Sequence, residues 1–343
     1  MPNEADVMRN KNYPVPLPLL FSLLGLAVVA AFVGSRLVGP AEIDIGELLA
    51  AVLAGEEGST TLIFYEIRLP RAILGLMIGA TLGLSGAALQ GFLRNPLAEP
   101  GIIGVSAAAS LGAVLAFYFG LASLFALALP FGGMLGAALG VLVVQLLAGR
   151  SNSPLTFILA GVAVTSFAAA LTSLALNMAE NPFAALEIMF WLLGSLADRS
   201  FEHVWLSAPF ILLGCLILMT VARPLDALTL GEEAAQTMGF DMGAVRRRLV
   251  FGTALSVGAA TSVAGAIGFV GLIVPHLLRR LTGNRPSLLL PASMLGGAAL
   301  LLMADIAVRL LSPGRELKIG VLTALIGAPF FLYLVLQQRR RLL

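Results

Sequence analysis

Few side chains in this 343-residue sequence could do chemistry. A phosphate-binding loop of the G-x-x-x-x-G-K-[ST] type needs a lysine on the nucleotide phosphates. The chain has two lysines, Lys11 and Lys318, and neither lies in such a loop. With His203, His276 and Cys215 as its only histidines and cysteine, it lacks the ligands of a structural metal site. One thiol cannot close an internal disulfide, so Cys215 reads as a small apolar residue. There is no H-E-x-x-H and no pair of aspartates within apolar runs. The one acid well inside such a run is Asp305. An acid there is a candidate functional group by default, yet Arg309, one helical turn on, would attract it as a structural ion pair. No catalytic residue, metal or cofactor is expected of this chain.

The elements that would position these groups follow from composition. Hydrophobic residues make up 59% of the chain and charged residues 12%, against about 25% charged in a soluble domain. Lipid must therefore be the solvent for most of it. Uncharged runs long enough to cross a bilayer cover 12–35, 72–93, 100–149, 151–179, 203–222, 249–278, 286–304 and 319–338. The third and sixth are long enough to cross twice, with Pro130–Gly133 and Gly268–Gly271 near their turns. The runs are apolar on all sides, which excludes the alternating strands of a membrane barrel. The expected fold is an all-α, polytopic membrane protein of about ten transmembrane helices in a compact bundle, one transmembrane domain over 1–343.

Ten crossings with the N-terminus inside place fourteen of the 21 basic residues in the cytoplasm and seven outside, as the positive-inside rule favours. Both termini are then cytoplasmic, with tails at 1–16 and 339–343 and a cytoplasmic connection at 224–247. A net charge of +2 gives no argument for nucleic acid. Run 12–35 lacks a small-x-small cleavage site and reads as a first span rather than a signal peptide. Gly75, Gly79 and Gly83, and again Gly132, Gly136 and Gly140, recur at every fourth position, a spacing that lets helices approach closely in lipid. Ser85-Gly86 precedes Pro96 as Ala264-Gly265 precedes Pro275, a faint echo of an inverted repeat.

Four polar segments interrupt this pattern. Arg68-Leu-Pro-Arg71 carries two cations a turn apart, suited to an acidic protein surface or to headgroup anchoring. The stretch Arg94-Asn-Pro-Leu-Ala-Glu-Pro-Gly101 is a tight turn between helices. At 228–239, Gly231 and Gly239 bracket a short helix with Glu232 in its first turn. Its small apolar residues, Ala234, Ala235 and Met238, could seat in a partner's groove. The fourth segment, 265–279, contains His276, which reads as structural.

Together these stretches, with Ser85–Gln90, Gly104-Val-Ser106 and 316–331, resemble the FecCD family, the permeases of iron-chelate, haem and vitamin B12 ABC importers. One departure is Lys318, where the family commonly has proline after Glu-Leu. The resemblance implies that Arg68, Arg71 and Arg309 dock acids of a periplasmic binding protein. It implies that Leu230, Gly231, Glu232, Ala234, Ala235, Met238 and Gly239 couple to a separate ATPase subunit. It assigns Asn95 and Leu97, with Ser151, Asn152 and Ser153, to a cytoplasmic gate, and a pathway along the fifth span, where Thr165, Ser166, Thr172, Ser173 and Asn177 are candidate lining. The implied assembly, in a bacterial inner membrane, is a permease homodimer with two ATP-binding subunits. The implied cargo is an iron siderophore, cobalamin or haem. An ion-coupled secondary transporter is the alternative.

Overall fold

Backbone groups in lipid must be satisfied within the segment, and the chain answers with helices throughout. The computed structural model describes residues 14–39, 41, 46, 58–121, 124–125, 127–149, 154–179, 182–312 and 317–342. In chain order the helices are α1 (Leu17–Leu37), α2 (Ser59–Leu93), α3 (Val105–Tyr118), α4 (Ala128–Ala148), α5 (Pro154–Asn177), α6 (Pro182–Leu192) and α7 (Phe201–Met219). After them come α8 (Ala222–Leu228), α9 (Glu232–Thr237), α10 (Met242–Ala264), α11 (Val270–Arg279), α12 (Pro286–Leu311) and α13 (Ile319–Leu342). Seven of the described helices are long and apolar enough to cross a membrane. The shorter apolar helices α3 and α11 and the 23-residue α10 add to these.

α2 is the central post. It is buried along nearly its whole length after Arg68, against α12, α11, α7 and α10. The glycine spacing explains its closest contact. Gly79 faces the backbone of Gly297, and Gly83 that of Ser293, so neither position on α2 has room for a Cβ. α3 and α4 repeat the device through Gly112, Gly132 and Gly136. In a bilayer such contacts supply dispersion where the hydrophobic effect between helices is absent. After one α-helical turn, Ser59–Leu62, α2 passes through a π-helical stretch, Ile63–Arg68. Pro70, two residues on, lacks the N–H that a regular turn would use.

Two expected turns lie elsewhere. The connection between α3 and α4 falls at 119–127, and Pro130 sits in the first turn of α4, where proline's missing N–H costs nothing. The region around Gly268 is not a turn between two full crossings. Gly265–Phe269 is non-helical, with positive φ at Gly265 (73°) and Phe269 (67°). α11 then has only ten residues, about 15 Å of rise, half of the roughly 30 Å hydrocarbon core.

Candidate functional site

The polar chemistry collects at the two ends of α2. Toward its Arg68 end, two guanidinium groups hold one carboxylate, and a third binds backbone carbonyls at the end of α1. Asp305, fully buried on α12, accepts a bidentate pair from Arg71, with Nη2 2.8 Å and Nε 2.9 Å from Oδ1. Arg309 reaches Oδ2 at 2.5 Å from the next turn of the same helix. The Asp305–Arg309 pair is therefore formed as the spacing allowed, and Arg71 joins it from 234 residues away.

These arginines also finish α1. The last carbonyls of a helix have no following turn to bond them. Arg309 Nη1 donates to the carbonyl of Ser35 (2.7 Å) and Arg68 Nη1 to those of Arg36 (3.0 Å) and Leu37 (2.6 Å). Arg68 also bonds the Ala41 carbonyl, and Arg309 that of Val38. Two cations from neighbouring helices thus cap the negative end of α1, as the helix dipole favours. This turns the expected outward patch around. Arg68 is 4% exposed, and of the salt-bridged pair Arg71 is more open than Arg309, with side-chain exposures of 18% and 6%. The sum remains three cations against one anion.

At the other end of α2, Arg94 adopts the left-handed conformation (φ 49°) and closes the helix. Asn95 Oδ1 accepts the Leu97 N–H at 2.9 Å, a local turn that fixes the loop. Half-buried Leu97 packs, with Phe269 and Phe330, on Leu272, Ile273 and Leu334 of α11 and α13. His276 makes an edge-on contact with Phe330, ring centroids 5.6 Å apart. Glu99, in the turn outside the spanning helices, faces the Phe269 N–H at 3.4 Å. Burial pushes its carboxyl above the usual carboxylate range, against the pull of that N–H. Ser151, Asn152 and Ser153 lie outside the described residues.

The short helix expected between Gly231 and Gly239 is α9, Glu232–Thr237, and both glycines take positive φ, 114° and 87°. Its apolar residues divide. Ala235 is 0% exposed, while Leu230 and Met238 are 68% and 56% exposed. The face expected to include Ala235 is therefore displaced: Ala235 seats α9 on its own bundle, and Leu230 and Met238 project. Next to it, Asp226 Oδ1 accepts the backbone N–H of Ser287 at 2.8 Å and caps α12 from α8. Nothing local in the sequence links those two; an acid near the start of a distant helix was the only signal.

On α5, Ser166, Ser173 and Asn177 are exposed, and their spacing of seven and four puts them on one face. Thr165 donates to the Gly161 carbonyl of its own helix at 2.9 Å, and Thr172 is half-buried. Cys215 is buried, 3.5 Å from Thr81 Oγ1. Among the described residues no group of three His, Cys, Asp or Glu side chains could hold a metal. Gln90 was missed as an individual site residue. A glutamine in an otherwise apolar span must find partners inside, and that was the available signal.

Comparison with known proteins covers almost the whole chain. The model of the FecCD transport family matches residues 26–337. The cobalamin import system permease protein of Halobacterium salinarum is 41% identical over 280 residues, 81% of this chain and 74% of that one. The Fe(3+)-citrate import system permease protein of Bacillus subtilis is 36% identical over 327 residues, 95% of both chains. The hemin transport system permease protein of Yersinia pestis is 36% identical over 287 residues, 81% of this chain and 84% of that one. Among solved structures, an inward-facing conformation described as a metal-chelate type ABC transporter matches with a TM-score of 0.80 and 35% identity, over 93% of this chain and 99% of that one.

Proposed function

The chain belongs to the FecCD transport family, a family of multi-pass ABC importer permeases; from that premise we propose that it carries an iron chelate, an iron siderophore foremost, into the cytoplasm as one half of a permease homodimer. The observation that carries the cargo class is the set of relatives: a cobalamin, a ferric citrate and a hemin permease all match over most of this chain. Their shared chemistry is a metal held in an organic chelate. Such a cargo brings its own coordination shell.

In this reading the Arg68 end faces the periplasm. A binding protein's carboxylates approach an excess of cations, and Arg71, the more open of the two arginines paired with Asp305, meets them first. Arg68 and Arg309 add field from behind while capping α1. The exposed Ser166, Ser173 and Asn177 stripe of α5 lines the path at the two-fold axis. The turn holding Asn95 and Leu97 forms the cytoplasmic gate, together with Ser151, Asn152 and Ser153, which lie outside the described residues. Leu230 and Met238 enter a groove of the ATPase subunit, and the Asp226–Ser287 bond passes its movement to α12. ATP is bound by that partner. An ion-coupled cycle finds little support, because Asp305 is already neutralised by Arg71 and Arg309.

The test is competition in proteoliposomes containing the permease, its ATPase subunit and its binding protein. ATP-driven accumulation of a radio-iron siderophore, insensitive to excess free ferric ion, is expected. Uptake of the free ion in preference to any chelate would overturn the cargo class.

A further inference from the structure

Gln90 stands near the end of α2 with 1% of its surface exposed. Its side-chain Nε2 lies 3.2 Å from the Ala98 carbonyl, in the turn after α2, and 3.2 Å from the Gly271 carbonyl, in the first turn of α11. The Leu272 carbonyl is 3.4 Å away. Its Oε1 accepts from Arg279 Nη2, at the far end of α11. One amide therefore touches the turn and both ends of the half-helix. The chemistry specifies an amide: carbonyls on one side need a donor, and a guanidinium on the other needs an acceptor. A carboxylate would serve Arg279 and oppose the carbonyls.

Backbone packing reinforces the same join. A Cβ on Gly86 would collide with the Gly271 backbone, and one on Gly271 would lie 2.8 Å from both the Leu82 carbonyl and the Pro100 ring. Glu99 faces the Phe269 N–H just ahead of α11, and Leu97 rests on Leu272 and Ile273. We infer that Gln90 is a positioning residue that fastens the 94–101 turn and α11 into one rigid body, so that the turn cannot open without carrying the half-helix with it. A buried amide whose donor and acceptor ends are both engaged rigidifies what it joins. The bearing on the gate rests on the proposed function; the rigid body does not.

The experiment places spin labels at the exposed Arg94 and Leu277 (R94C, L277C) in a Cys215→Ala background, in the permease–ATPase complex in nanodiscs. Pulsed dipolar spectroscopy reads their separation with and without ATP plus vanadate. A single narrow distance, the same in both conditions, is expected for the chain with Gln90. Gln90→Leu and Gln90→Glu, the second keeping the Arg279 pair, should each broaden it. A separation that shifts with nucleotide when Gln90 is present overturns the inference. So do variants that both keep the narrow distance, or a Gln90→Glu chain indistinguishable from Gln90, which would leave Arg279 pairing as the only fastening. Loss of uptake with an unchanged distance is a failure of this inference alone; a constant distance in a complex that takes up no chelate is a failure of the functional reading.

Discussion

Asp305 and its arginines show how charge survives inside this bundle. Removing one member of a buried pair leaves the other uncompensated, at a cost of about 3–5 kcal/mol. Arg309→Ala should approach that loss, since it strips Asp305 of one cation and also uncaps Ser35 and Val38. Arg71→Ala should cost less, because its side chain is more open and Arg309 remains. Thermal unfolding of the purified variants in one detergent checks the order; equal losses would remove the capping role. The Asp305–Arg309 half of the cluster was legible from a spacing of four. Arg71, Ser35 and the α1 carbonyls were not, because no local pattern tells where the end of a distant helix lies. The same gap hid the inward turn of Arg68: a cation beside an apolar run looks alike from sequence whether it points to water or to carbonyls.

Among the elements, α9 was read correctly as a short helix because glycine at both ends leaves few alternatives. Which face it presents was read less well. Ala234, Ala235 and Met238 share small apolar character, and burial is decided by neighbours such as α8 and α10 that the local sequence does not reveal. Leu230→Glu with Met238→Glu should release the ATPase subunit in a detergent pull-down while leaving the permease's melting temperature unchanged. Ala235→Arg should lower the melting temperature itself, as a charge forced into a filled site. The reverse pattern would place the contact on the Ala235 face. The glycine repeats announced close helix contact, and α2 against α12 delivers it, although the partner positions on α12, Gly297 and Ser293, carry no matching run. Gly83→Val should therefore push the two apart and cost more stability than Ala→Val at a lipid-facing site; equal cost would deny the contact. Periodicity could not show that the crossing after α10 is broken, since an uncharged run looks the same whether helical or extended.

For the whole molecule, hydropathy was enough to read an all-helical bundle, whose described residues hold seven helices long enough to span and further shorter apolar ones, and the order of the polar stretches was enough for the family. The pathway is a property of two copies, so it is written in one chain only as an exposed stripe. Ser166→Cys, Ser173→Cys and Asn177→Cys should react with a membrane-impermeant thiol reagent in the assembled importer, with Leu174→Cys slower. Uniformly sluggish reaction would move the pathway off this face of α5. The central claim, a permease driven by a separate engine, is tested most directly by chelate uptake into sealed proteoliposomes holding the permease with its ATPase subunit and supplied with the binding protein. The account predicts accumulation with ATP, none when the subunit's phosphate-binding lysine is replaced, and indifference to a proton or sodium gradient. Accumulation driven by such a gradient, with the ATPase subunit absent, would contradict it.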